Sequence, residues 1–138
     1  MAFETKTNIR NRDLESQGTW MDYGDDVRFL VARKSNPKYK SFISRKYREN
    51  ERIISSTANV ERADQVSERL MLEATATYLL LDWEGVVEGG KPIKYSPSKA
   101  IQVLDDHDDL RADIEAYADN RENYLAEKDE KDAENLKK

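Results

Sequence analysis

Two apolar runs near the start of the chain alternate as β-strands do. Residues 20–23 and 27–33 are rich in aromatic and β-branched side chains, which favour strands. In the second run, alternate positions place three apolar residues on one face: Val27, Phe29 and Val31. The GDD segment between the runs favours a turn. The pattern predicts a two-stranded β-hairpin, which must pack on other elements because two strands alone are only marginally stable in water.

The next apolar positions follow the spacing of a helix. Asn36-Pro37 is typical of an N-cap followed by proline at the first helical position. From there one apolar stripe contains Tyr39, Phe42, Ile43, Tyr47, Ile53 and Ile54. The opposite face carries Lys38, Lys40, Arg45, Lys46 and Arg48. This spacing predicts an amphipathic helix with one buried face and one solvated basic face.

A second and more apolar helix is predicted from about Asn59 to about Leu81. Its buried side contains Val60, Ala63, Val66, Leu70, Met71, Ala74 and Tyr78. Residues 79–81 widen this surface until it nearly encircles the last turn. Because a helix that is apolar all round is normally enclosed by neighbours, we expect this to be the central helix.

Glycine and proline interrupt the pattern over residues 82–95, which predicts a loop with a tight turn at Gly89-Gly90. Ser96-Pro97 repeats the cap-and-proline pattern and predicts a short helix. A final helix is predicted after the acidic run at residues 105–109, with Asp108 or Asp109 at its N-terminus. Its apolar positions are Leu110, Ile114, Tyr117, Tyr124 and Leu125.

These elements predict a mainly α-helical α+β fold, in which an N-terminal two-stranded hairpin packs on a bundle of about four helices. Residues 1–17 are polar and aperiodic, which predicts a flexible arm. Residues 18–118 are predicted to form a single globular domain. Residues 119–138 are predicted to form a charged, helical or fraying tail.

Composition narrows the range of functions. Of the 138 residues, 38% are hydrophobic and 37% are charged, which indicates a thin core and a highly charged surface. The formal net charge of −5 argues against a broad nucleic-acid interface and against adhesion to anionic membranes. The absence of cysteine excludes disulfides and thiol nucleophiles. With no apolar segment of signal-peptide length near the N-terminus, we expect a soluble intracellular protein.

The acidic run is the most metal-like segment of the chain: Asp105, Asp106, His107, Asp108 and Asp109. It lacks the glycine and the ligand spacing of a calcium loop. The single histidine rules out a two-histidine zinc site within one chain. We therefore favour an acidic turn that caps a helix over a site for weak cation binding.

Catalytic patterns are missing from the sequence. A Ser-His-Asp arrangement would have to use His107, and no nucleophile-elbow motif is present. Gly85, Gly89 and Gly90 do not form a phosphate-binding loop, because Lys91-Pro92 follows and the next helix starts later. We expect no catalytic residue, no cofactor and no metal.

Aromatic side chains are the candidates for binding a partner, because they dominate binding energy when exposed. The candidates are Trp20, Tyr23, Tyr39, Phe42, Tyr47 and Trp83. For Trp83 we favour a structural role, with its ring packed over Leu80 or over the segment of Tyr95. For Trp20 and Tyr23 two roles stay open: to cover the helices, or to present an aromatic face.

Two segments, GTWMDYGDDVRFLVARKSNPKYKSFI and LLLDWEGVVEGGKPIKYSPSKAIQVL, resemble the tail assembly chaperones of long-tailed bacteriophages and their prophage relatives. In those proteins an apolar helix ends in a similar Asp-Trp-Glu-Gly turn. A Gly-Lys-Pro connector and a Tyr-Ser-Pro helix start follow it. The resemblance covers roughly residues 18–118.

The resemblance implies a small non-catalytic protein that acts in the cytoplasm of the bacterial host. It would bind the tape measure protein and assist polymerisation of the tail-tube protein, with self-association as an open question. Neither nucleic acid nor membrane is expected as a partner. The alternative is a structural virion component, such as a tail-completion or head-tail connector protein. A small hydrolase or metal enzyme is least favoured, because the catalytic geometry is missing.

Overall fold

A computed structural model describes residues 2–125 of the protein. Helices and a small antiparallel sheet are combined in this part of the chain, which confirms the predicted α+β class. In chain order the elements are α1 (Arg12–Gln17), β1 (Thr19–Asp22), β2 (Arg28–Val31), α2 (Pro37–Glu49), α3 (Glu51–Ile54), α4 (Val60–Ala74), β3 (Leu80–Glu84), β4 (Val87–Glu88), β5 (Lys91–Pro92), α5 (Pro97–Asp106) and α6 (Asp108–Asp119). A π-helical turn at Thr75–Leu79 joins α4 to β3, and a 3-10 turn at Arg121–Tyr124 follows α6.

The predicted hairpin is confirmed, but it belongs to a sheet of three strands. β2 pairs antiparallel with β1 on one side and with β3 on the other. Phe29 in β2 lies opposite both Met21 and Trp83. The third strand supplies hydrogen-bond partners for the second edge of β2, so the hairpin does not have to rely on helices alone.

The predicted central helix ends slightly before its expected boundary at about Leu81, because helical backbone continues through the π-helical turn only to Leu79. α4 ends at Ala74, and Leu80–Glu84 is the strand β3. A buried apolar run suits an enclosed strand as well as an enclosed helix, and periodicity does not distinguish them. Here the backbone turns toward β2, where the Ala32 N–H donates to the Leu79 carbonyl at 2.8 Å. The inference that this segment is enclosed was right, since Leu79 and Leu80 are fully buried.

Three predicted helix starts are confirmed by their caps. The side chains of Asn36, Asn59 and Ser96 each accept a hydrogen bond from a backbone N–H three residues later. The fourth start is confirmed in position, since α6 begins at Asp108 and has Asp108 and Asp109 in its first turn, but His107 occupies the N-cap position and makes no side-chain cap hydrogen bond. The carboxylates in that turn still face the positive end of the helix dipole.

The predicted loop over residues 82–95 contains more secondary structure than expected. After β3, the short strands β4 and β5 form a second antiparallel pair, with Val87 opposite Pro92. The predicted tight turn at Gly89-Gly90 is confirmed, and both glycines have positive φ angles, 57° and 80°. The joint between the central apolar segment and α5 is therefore a strand followed by a small hairpin.

The predicted arm over residues 1–17 was wrong in its second part. Arg12–Gln17 forms α1, and its Leu14 and Glu15 are buried. Glu15 accepts hydrogen bonds from Arg10 at 2.6 Å, Arg33 at 2.9 Å and Ser35 at 2.8 Å. Periodicity missed this helix because an ion pair and one leucine, rather than an apolar stripe, hold it in place.

The other predicted boundary also changes, because the packed part of the chain continues beyond residue 118. Tyr124, in the 3-10 turn after α6, is 1% exposed, and its hydroxyl donates to the Val31 carbonyl at 3.0 Å. The final helix itself ends at Asp119 and does not reach Tyr124. The rest of the predicted tail, residues 126–138, lies outside the described residues.

The core lies between one face of the three-stranded sheet and the helices α2, α4, α5 and α6. The sheet contributes Met21, Phe29, Val31, Leu80 and Trp83. The helical segments contribute Tyr39, Phe42, Leu72, Ala74, Ala76, Leu79, Ala100, Leu104, Leu110, Ile114 and Ala118. No helix within residues 2–125 combines the length and the apolar character needed to cross a membrane.

Candidate functional site

Half of the predicted partner-binding residues lie in the core. Tyr39, Phe42 and Trp83 are only 6%, 8% and 5% exposed. Tyr39 and Phe42 lie in the first two turns of α2 and belong to the core, and Phe42 contacts Tyr78 with ring centroids 5.0 Å apart. These three side chains contribute to the stability of the fold, and little of their surface is open to a partner.

Trp83 has the structural role that the sequence favoured. Its indole N–H donates to the Ile93 carbonyl at 2.8 Å, and its ring meets Tyr95 edge-on at 5.3 Å. The Tyr95 hydroxyl is also 2.8 Å from the Ala76 carbonyl and 2.7 Å from the Leu80 carbonyl. Burial, and secondarily Asp82, raises the pKa of Tyr95 to about 12, so the hydroxyl keeps its proton and remains a donor.

Trp20 and Tyr47 are partly buried and have intramolecular partners. The Arg28 guanidinium lies over the Trp20 ring, 4.3 Å from its centroid, in the geometry of a cation–π contact. Arg28 also donates to Glu84 at 2.7 Å, which links β2 to β3. The Tyr47 hydroxyl lies 2.9 Å from that of Ser67, which links α2 to α4.

Tyr23 differs from the other five candidates because it is 40% exposed. Its ring meets Phe29 edge-on at 5.6 Å, so one side of the ring is packed and the other is open. Its hydroxyl donates to Asp113 of α6 at 2.6 Å. That carboxylate, followed by burial and the charge of Asp109, raises the pKa of Tyr23.

Tyr23 stands at the edge of an open groove of about 530 Å³ between the β1–β2 turn and the junction of α5 with α6. We call it the Tyr23 groove. It is lined by Tyr23, Val27, Phe29, Val86, Val103, Asp106, His107, Asp108, Asp109 and Leu110. Its floor is apolar and its rim on the helical side is acidic, so one part can bury an apolar side chain while the other attracts a cation.

The wall formed by the hairpin depends on a tight approach of two backbones. The Tyr23 N–H donates to the Val27 carbonyl at 2.9 Å, and Asp26 has a φ of +59°. At the end of β3, Gly85 has a φ of +80° and lies directly against the Asp26 backbone. A Cβ on residue 85 would collide with the Asp26 carbonyl oxygen. Glycine is therefore required where Val86 enters the groove.

The helical wall is built by the sharp junction between α5 and α6. The His107 N–H donates to the Val103 carbonyl at 2.9 Å, and its own carbonyl accepts from the Arg111 N–H at 3.1 Å. Asp106, Asp108 and Asp109 surround this junction and are exposed to solvent. Within residues 2–125, no group of three or more histidine, cysteine, aspartate or glutamate side chains is arranged to hold a metal ion.

A second depression, of about 460 Å³, lies at the start of α2. It is lined by Pro37, Lys38, Ser41, Phe42, Arg45 and Tyr78. The Arg45 guanidinium and the Lys46 ammonium group lie 5.6 Å and 5.8 Å from the Phe42 ring centroid. These cations cover the apolar residue beneath them, so this face is mainly a solvated basic surface.

The apolar floor of the Tyr23 groove could not be recognised from spacing. Val27, Val103 and Leu110 each occupy apolar positions of separate predicted elements, where burial is the ordinary outcome. The acidic residues were noticed, but as a turn or cation site. Nothing local indicates that the β1–β2 turn and the α5–α6 junction face one another.

Residues 34–135 match the protein family described as YdaY prophage protein. The match covers well over half of the chain. This chain belongs to the YdaY prophage protein family. Membership confirms the phage or prophage character that the resemblance implied. No curated protein matches the chain, and no solved structure matches it.

The region shared with the YdaY family includes only part of the Tyr23 groove. It contains the helical wall, with Val103, the acidic rim and Leu110, and also Val86. The hairpin wall, with Tyr23, Val27 and Phe29, precedes the matched residues. In this member of the YdaY family, the groove therefore combines the family region with a segment on its N-terminal side.

Proposed function

We propose that this protein is a non-catalytic tail assembly chaperone that binds the tape measure protein and assists polymerisation of the tail-tube protein. The proposed place of action is the cytoplasm of the bacterial host. Membership of a prophage family supports the general setting. The observation that carries the binding role is the Tyr23 groove, an open apolar surface with an acidic rim.

An open apolar groove suits a protein that holds a helix of another chain. Helices bind in such grooves through apolar side chains at positions i, i+3, i+4 and i+7. Tape measure proteins are long and hydrophobic, so before assembly they need partners that cover apolar surface. Val27, Val86 and Val103 are only partly buried and offer such cover.

The elements around the groove are held firmly, which limits the entropy lost on binding. Phe29 in its floor belongs to the central strand of the sheet and is 3% exposed. Tyr23 is tied to α6 through Asp113, at 2.6 Å. Every buried side-chain nitrogen and oxygen in the described part of the chain has a hydrogen-bond partner. A partner would therefore meet a preformed surface.

Co-expression tests the proposal directly. The tagged full-length chain is produced together with overlapping fragments of the tape measure protein encoded in the same prophage, and complexes are captured through the tag. We expect at least one fragment to be retained. An unrelated helical protein of similar size serves as the control. The proposal would be contradicted if no fragment were captured although circular dichroism showed that the chain was folded.

Analysis of purified particles separates a chaperone from a virion component. A chaperone leaves before the tail is complete, so mass spectrometry of purified virions should find the tape measure protein without this chain. Its presence in a fixed ratio to the tail-tube protein would instead identify a structural component of the particle.

A further inference from the structure

We propose that the Tyr23 groove binds a basic amphipathic helix, with apolar side chains on its floor and lysine or arginine side chains against its acidic rim. This rests on the proposed function in assigning the groove to a partner. It goes beyond that function by specifying the charge and the shape of the bound segment.

The floor determines the apolar side of the ligand. Phe29 and Leu110 are 3% and 9% exposed and form its closed base. Val27, Val86 and Val103 are partly buried around them. An apolar side chain from one helix face can be buried here, contributing in proportion to the area removed from water.

The rim determines the charge of the ligand. Asp106, Asp108 and Asp109 line the groove and are exposed. Asp113 of α6 accepts a hydrogen bond from the Tyr23 hydroxyl. None of the described residues that line the groove is lysine or arginine. Acidic partners are repelled by such a surface, whereas cationic partners are attracted and oriented by it.

The helix α2 is also basic. Its exposed stripe contains Lys38, Lys40, Arg45 and Arg48, so a second copy of this chain also carries a basic helix. That helix already buries its apolar side, with Tyr39 and Phe42 in the core. It has no free apolar face for the floor of the groove, and this favours a separate helix as the occupant.

Designed peptides provide the test. The probe is a fluorescent helix of about 18 residues, roughly five turns, with leucines on one face and lysines on the other. Its matched control carries glutamate at every lysine position. By fluorescence anisotropy with the full-length chain, we expect the lysine peptide to bind at least about tenfold more tightly than the glutamate peptide. The preference should shrink when NaCl is raised from about 50 mM to about 500 mM.

Variants of the chain locate the binding. The double variant Asp106→Asn and Asp109→Asn should weaken binding of the lysine peptide about fivefold. A matched variant with the same change in net charge, Asp105→Asn and Asp119→Asn, lies outside the groove and should have little effect. Val27→Thr keeps the side-chain shape and the strand preference, and should weaken binding about threefold by making the floor polar.

Three results would overturn the inference. The first is equal affinity for the two peptides, and the second is equal weakening by the groove and control variants. The third is a dimer of this chain, detected by sedimentation, that forms through the groove. Such a dimer would prevent the peptide from binding, and the groove variant would dissociate it. Thermal unfolding of each variant checks that the fold is retained.

The two proposals can fail separately. If tape measure fragments bind but the groove variants leave that binding unchanged, the inference about the groove fails and the proposed function stands. If the lysine peptide occupies the groove but no tape measure fragment binds, the function fails and the groove remains a site for basic helices.

Discussion

Glu15 shows what a single buried charge does in this small fold. It is 2% exposed, and it accepts hydrogen bonds from Arg10, Arg33 and Ser35. The Arg10 hydrogen bond is the largest cause that lowers the pKa of Glu15 to about 2 from its ordinary value of 4.5. Burial opposes the shift, and Ser35 and Arg33 reinforce it. A single carboxylate thus fastens α1 to the segment after β2.

Glu15→Gln should destabilise the protein by about 2 kcal/mol at neutral pH, because the amide leaves buried donors poorly satisfied. Urea unfolding at pH 7 measures the loss. Because folding lowers the pKa of Glu15, its stabilising effect is complete at a pH above the ordinary pKa of 4.5. The effect decreases as the pH falls toward about 2. The difference between the native chain and the variant should therefore shrink from pH 6 to about pH 2.

Glu84→Gln is the matched control, since Glu84 pairs with Arg28 at the surface. Surface ion pairs contribute little, so we expect this variant to unfold close to the native midpoint. A difference for Glu15→Gln that stays constant across the pH range would show that its charge is not the cause.

At the scale of elements, local chemistry determines where some elements begin, and tertiary pairing determines others. The caps of α2, α4 and α5 depend on residues three positions apart, and such patterns can be recognised in a sequence. β3 depends on pairing with β2, which lies about fifty residues earlier in the chain. Its leucines therefore resembled the end of a helix until their partner was known. The close contact between Gly85 and Asp26 belongs to the same class of nonlocal facts.

Gly85→Ala should destabilise the protein by more than about 2 kcal/mol, because strain from a positive φ is added to a collision with the Asp26 backbone. It should also weaken binding in the Tyr23 groove, since Val86 follows directly. Gly89→Ala is the control: its φ is also positive, but a Cβ there meets no atom within 4 Å. We expect about 1 kcal/mol for the control. Equal losses in thermal unfolding would show that the contact with Asp26 is unimportant.

At the scale of the whole molecule, the segment from Tyr117 to Tyr124 packs against the β1–β2 region of the sheet. The Tyr124 hydroxyl reaches the Val31 carbonyl, and the Tyr117 hydroxyl lies 2.7 Å from that of Thr19. The Tyr117 and Tyr124 rings meet edge-on at 5.9 Å. Burial raises the pKa of Tyr124, so its hydroxyl stays protonated and donates. These contacts place residue 124 inside the folded unit, beyond the boundary expected at residue 118.

Tyr124→Ala should cost about 3 kcal/mol or more, because a fully buried aromatic side chain leaves a cavity. Tyr124→Phe should cost about 1 kcal/mol, the usual net value of one hydrogen bond. Denaturant unfolding at constant pH measures both. Arg121→Ala, in the same 3-10 turn but exposed, is the control and should be nearly neutral. A neutral Tyr124→Ala would place residue 124 in the tail, as the sequence alone suggested.

The Tyr23 groove shows how much of a binding site can be predicted from a sequence. Of the six aromatic candidates, only Tyr23 lines it, while Tyr39, Phe42 and Trp83 are buried. Aromatic residues serve cores and interfaces equally well, so residue type does not distinguish these roles. The acidic rim could be recognised in the sequence as a run of aspartates, but its importance depends on the apolar floor opposite it. That floor is assembled from three separate segments.

By itself, the sequence determined the α+β class, the hairpin, three helix caps and the acidic turn. Each of these depends on the conformational preferences of residues only a few positions apart. Only the tertiary structure decided that residues 80–84 are a strand, that Glu15 and Tyr124 belong to the packed unit, and that Tyr23 borders a groove. Those outcomes depend on which distant surfaces meet, and the free energy of burial, being non-directional, leaves no local mark of the partner.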